Sequence, residues 1–172
     1  MSASPYFFIE MKNEKTGKWE QVKVFRQDKN GEFEYCDVWP WNGTHELFGM
    51  LEAESSYENH RVSGVRWGIP TDVSDGVKNE YSFFDGEGVQ PHYIYLADLY
   101  IDILENPKVV DYEAMDEAYI DAGEDVKFEK IYCDTPIKDF YETICSYIGV
   151  WDDFYSSSEY RCQIRIIYWL SW

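Results

Sequence analysis

The chain is expected to be α+β, an antiparallel β-sheet covered by about three acidic helices. Glycine turns separate short alternating runs in its first part. Two amphipathic stretches at helical period fill its middle, and an Ile/Tyr/Trp-rich run closes it. Tyr6 to Met11 is aromatic and apolar, and Lys15-Thr16-Gly17-Lys18 supplies a turn whose glycine can take positive φ. From Trp19 to Phe25 the residues alternate as a half-buried strand requires. Asp28-Lys29-Asn30-Gly31 ends that run with Asn-Gly, a strong hairpin signal, and Phe33 to Trp39 returns. These three strands are expected to form a β-meander. His60 to Trp67 reads as a further strand, and residues 70–91 as loop.

The helical part follows. Over Tyr93 to Glu105, Leu96, Leu99, Tyr100 and Ile103 share one face, with Asp98, Asp102 and Glu105 opposite. Over Asp111 to Ala122 the apolar side is Tyr112, Met115, Ala118 and Tyr119. Glu113, Asp116, Glu117 and Asp121 lie opposite, and Gly123 is a natural stop. A third helix spans Pro136 to Ile148, with Thr135 as N-cap and Pro136 at the first helical position. Tyr160 to Trp169 closes the chain as a buried strand.

A length of 172 residues suits one domain with a real core. Aromatics at 19 % argue against disorder despite a net charge of −18. That charge is uneven: residues 1–79, mostly β, carry −4; residues 80–159, mostly helical, carry −16; the closing strand 160–172 carries +2. Residues 98–125 alone hold ten carboxylates against Lys108, half of the total net charge. Such a field attracts basic partners and repels nucleic acid and anionic membrane. The N-terminus has no basic, apolar leader and no run is long enough for a membrane helix, so a cytoplasmic protein is expected.

The candidate site is the carboxylate rows Asp98, Asp102, Glu105 and Glu113, Asp116, Glu117, Asp121, continued by Glu124 and Asp125. Side chains three and four apart on a helix lie about 5–6 Å from each other, and like charges there cost stability rather than add to it. Such rows serve either as a solvated face or as an imitation of a phosphate backbone, able to fill a groove lined with Lys and Arg. Tyr93, Tyr95, Tyr100, Tyr112 and Tyr119 run among these acids and are expected to be mainly core, with binding hot spots as the alternative.

Other chemistry finds little support. Asp72-Val-Ser-Asp75-Gly76 and Asp85-Gly86-Glu87-Gly88 offer oxygen ligands but lack the EF-hand pattern, so they read as ordinary acidic turns. His45, His60 and His92 share no metal-ligand spacing. Cys36, Cys133, Cys145 and Cys162 form no C-x-x-C pair and read as buried free thiols. No cofactor is expected. No nucleophile elbow, P-loop, H-E-x-x-H or dinucleotide motif occurs, and Cys36 with His45 reads as packing rather than as a nucleophile and base, so an enzyme is not expected. Trp39-Pro40-Trp41 reads as a seal on the sheet edge, with a ligand platform as the alternative.

Phe7-Phe8-Ile9-Glu10, Gly17-Lys18-Trp19-Glu20-Gln21-Val22 and Gly31-Glu32-Phe33 resemble the opening of small uncharacterised proteins from phages and mobile elements of gut Firmicutes. The acidic remainder is similar in character to phage-encoded inhibitors of host nucleases, including anti-CRISPR proteins. The resemblance implies an inhibitor acting in the host bacterial cell and carries no functional residue across. The expected partner is a basic nucleic-acid-binding protein, such as an RNA-guided nuclease, met through protein contacts and without direct binding to nucleic acid or membrane. The alternatives are an immunity or interaction module for one partner such as a toxin nuclease, and a carbohydrate-binding or hydrolytic domain using Trp39 and Trp41.

Overall fold

The computed structural model describes residues 4–36, 45–51, 59–84, 87, 89–122, 129–149 and 158–171, and the fold is α+β. Strand β1 (Ser4–Lys12) turns through residues 13–18 into β2 (Trp19–Val22). Asn13 Oδ1 accepts the amides of Lys15 and Thr16, and Gly17 takes φ 70° as the turn requires. Strands β3 (Val24–Gln27) and β4 (Phe33–Cys36) form the expected hairpin around Asp28, whose Oδ1 accepts the amides of Asn30 and Glu32. The meander is corrected, however. After Val22 the chain leaves the edge of β1, and β3–β4 is a separate ribbon. The end of the third strand, with Trp39, Pro40 and Trp41, lies outside the described residues.

Next come α1 (His45–Leu51), β5 (Arg66–Trp67), α2 (Asp75–Ser82), β6 (His92–Tyr95) and α3 (Leu96–Glu105). They are followed by β7 (Lys108–Val110), α4 (Tyr112–Ala122), β8 (Tyr132–Asp134), α5 (Pro136–Ile148), α6 (Ser158–Arg161) and β9 (Ile164–Ser171). The expected strand over His60–Trp67 shrinks to two residues, because Gly64 turns the chain at φ 121°. The expected loop over 70–91 contains α2, capped by Ser74 and anchored by the buried Val77. Tyr93 to Tyr95 belong to β6 and not to a helix, since they pair with β9. Helix α5 keeps its expected bounds, with Thr135 Oγ1 accepting the Ile137 amide.

The main sheet runs β2-β1-β9-β6-β5, antiparallel throughout. It draws strands from all three charge segments, so the boundaries in charge are not boundaries in structure. One face packs Phe7, Ile9, Ile94, Ile164 and Ile166 against α1, α3 and α5; the other packs Phe8, Ile167 and Trp169 against Val77 of α2. Burial on both faces explains why β9 is apolar without alternation from Ile166 to Trp169. An Ile166→Ala truncation in that strand costs about 2–5 kcal/mol.

One charge cluster sits inside this sheet. Glu10 and Arg165 lie directly opposite on β1 and β9, both buried, and Arg165 Nε donates to Glu10 Oε2 at 2.6 Å. Arg165 Nη1 donates to Asp72 Oδ1 at 2.8 Å, and the guanidinium lies 4.0 Å over the Trp19 ring. Trp19 Nε1 donates to Asp72 Oδ2, while the Ser74 amide donates to Glu10 Oε1. The cluster therefore latches the start of α2 to the sheet. Burial pushes the Asp72 carboxyl up, but the hydrogen bonds and charge of Arg165 outweigh it and hold the group below its ordinary 3.8.

Candidate partner-binding face

The nine predicted carboxylates separate into three groups. Asp98 and Asp102 belong to the fold, which corrects the expectation that they line an exposed row. Asp98 Oδ2 accepts from Arg66 Nη1 at 2.8 Å and from the Tyr95 amide at 3.3 Å, closing the start of α3. A Cβ on Gly64 would stand 2.5 Å from the Asp98 Cγ, so the close approach of these segments needs glycine there.

Asp102 is only 4 % exposed and receives His60 Nε2 at 2.9 Å and 3.1 Å on its two oxygens. Burial pushes the Asp102 carboxyl above 3.8, with the neighbouring Glu105 adding to the rise and His60 opposing it. A His–Asp pair can orient a general base. The pair also ties residues 59–67 to α3.

Glu105 is exposed at the end of α3, and Glu124 and Asp125 lie outside the described residues. Glu113, Asp116, Glu117 and Asp121 are all exposed on α4. Asp111 Oδ1 accepts the Ala114 amide and so starts this helix, as a short polar side chain at an N-terminus does. Helix α4 fully buries none of its residues, and its last turn holds no basic side chain. Glu113, Glu117 and Asp121 follow at four-residue steps, with Asp116 beside them.

Sequence reasoning missed the centre of this face. Ile120 is 82 % exposed, three residues after Glu117 and four after Asp116, so it stands among the carboxylates. On α3 the burial of Asp102 turns Ile101 and Leu104 outward, 47 % and 63 % exposed. The signal was available in the sequence: on either helix these aliphatic residues fall off the expected apolar face.

The remaining predicted features are placed as follows. Tyr93, Tyr95, Tyr100 and Tyr112 are half-buried, and Arg161 lies 3.4 Å over the Tyr100 ring; Tyr119 is exposed, against expectation. Cys145 is buried, Cys133 half-buried and Cys162 exposed, so burial does not hold for every thiol. Burial raises the Cys145 and Cys133 thiols above their ordinary range. No cluster of three or more metal-ligating side chains occurs among the described residues. Clefts of about 330, 410 and 440 Å³ flank α2. In the first of them Asp72 is already engaged by Arg165 and Trp19. No helix among the described residues is long and apolar enough to cross a membrane.

The chain matches no protein-family model, no curated protein and no solved structure.

Proposed function

We propose that this is a non-enzymatic, acidic inhibitor that sets the exposed face of α4 into the basic groove of a nucleic-acid-binding protein. The observation that carries the reading is the composition of that face: Glu113, Asp116, Glu117 and Asp121 are exposed together, and α4 itself contains no basic side chain. Helices that need only solubility intersperse Lys or Arg at such spacings, because like charges repel. The fold gains nothing from this row, so a partner is the beneficiary. Lys and Arg that ordinarily neutralise phosphates are met by carboxylates instead, and nucleic acid is displaced. An RNA-guided nuclease encountered by a phage-encoded protein in the bacterial cytoplasm is the partner class this reading favours.

Affinity capture with the tagged protein, eluted over a salt gradient and repeated with competing duplex DNA, tests it. Retention of a basic nucleic-acid-binding protein that both salt and DNA release supports the reading. A partner that DNA does not displace contradicts it. That outcome favours an interaction or immunity module, for which the outward aliphatic residues Ile101 and Leu104 speak.

A further inference from the structure

We infer that Ile120 is the apolar anchor of the α4 face, and that the partner's basic surface contains an apolar socket to receive it. The inference rests on the proposed docking of α4 and deepens it by naming the chemistry of the partner. Ile120 is the most exposed large aliphatic side chain among the described residues, at 82 %, and its neighbours on the helix surface are Asp116 and Glu117. Glu113 and Asp121 extend the rim on either side. An apolar centre ringed by polar groups is the arrangement of a protein–protein hot spot, where the rim excludes water from the anchor.

Charge decides the occupant. A second copy of this chain would bring carboxylates against carboxylates, on a molecule already at −18. Nucleic acid is repelled for the same reason. A protein surface of Lys and Arg complements the rim. A phosphate imitation alone has no use for the isoleucine, since a phosphate site offers it only charged and hydrated groups. The anchor therefore supplies the part of the affinity that salt does not screen, and the carboxylates supply the part that it does.

Two synthetic peptides of equal length and charge separate these parts. One is a Lys/Leu amphipathic helix; the other replaces its leucines by serine. The full-length protein is expected to bind the leucine peptide on the order of tenfold more tightly than the serine peptide. Ile120→Ser is expected to erase that ratio and leave the salt dependence of both peptides unchanged. Ile120→Leu should restore the ratio. Phe83→Ser alters an aromatic side chain that is 76 % exposed on another element and should not change the ratio. A ratio that survives Ile120→Ser, or that falls equally with Phe83→Ser, overturns the anchor while leaving salt-dependent docking intact. Absence of salt-dependent binding to either peptide overturns the docking of α4 and the anchor with it.

Discussion

Carboxylates serve opposite ends in the main sheet and on α4. In the sheet, Glu10 is fully buried, Arg165 reaches both Glu10 and Asp72, and each partner is hydrogen-bonded. On α4, four carboxylates face solvent with no cation among them. The first arrangement is a requirement of the fold, because a buried charge without its partner is costly. The second is one the fold could discard, because exposed like charges only repel. What a carboxylate does is therefore decided by what it touches, and the density of acids along the chain does not reveal it. Asp102 makes the point most sharply: it lies within the acidic run and is only 4 % exposed.

The largest effect that would break this contrast belongs to the sheet. Arg165→Met is expected to cost about 3–5 kcal/mol in urea unfolding, because it strands Glu10 in the interior. The double variant Glu10→Leu/Arg165→Met should recover most of that loss. A single variant within about 1 kcal/mol of the native protein would remove the latch from the account.

A smaller effect is expected at Asp102. Asp102→Ala should cost about 1–3 kcal/mol by leaving His60 without its acceptor, whereas Asp102→Asn keeps an oxygen there and should cost less. The pH dependence sharpens this. Burial raises the Asp102 carboxyl above 3.8, so the folded protein holds this proton at pH values where the unfolded chain has lost it. Its contribution to stability therefore falls as pH rises from about 3.8 through the folded pKa, and Asp102→Asn removes that fall. Urea midpoints across that window, compared between native and Asn variant, would show an unchanged slope if Asp102 were solvated.

His92 gives an opposite slope. Burial pushes this ring below its ordinary 6.5, with Arg61 adding to the shift. Its contribution is complete above 6.5 and is lost as pH falls through the folded pKa, because the unfolded chain takes up the proton first. His92→Phe should flatten the acid side of the stability curve. An unaltered curve would place the ring in water.

Much of the fold was legible because its signals are local. The glycine turns at Gly17 and Gly31, the Thr135-Pro136 start of α5 and the apolar run of β9 all act within a few residues. The rest depends on partners distant in sequence. Asp102 reads as solvent-facing beside Asp98 and Glu105, and its role comes from His60, 42 residues away. The Glu10–Arg165 pair spans 155 residues. Helix α2 escaped because Gly76 and its polar neighbours have low helix propensity, and packing of Val77 against the sheet decides in its favour. Of the candidate face, the α4 carboxylates were legible from their spacing. Ile120 was overlooked, although its position off the expected apolar stripe was itself readable from the spacing.

The smallest expected change in stability carries the largest expected change in binding. The variant Glu113→Gln/Asp116→Asn/Glu117→Gln/Asp121→Asn should unfold at the same urea midpoint as the native protein or slightly higher, since it removes repulsion alone. Its affinity for the Lys/Leu peptide, measured from low to high salt beside the native protein, is the most direct test. Weaker binding with a flattened salt dependence, on an undiminished midpoint, is the predicted result. Unchanged binding, or a protein that no longer folds, would contradict the claim that these carboxylates are held for a partner.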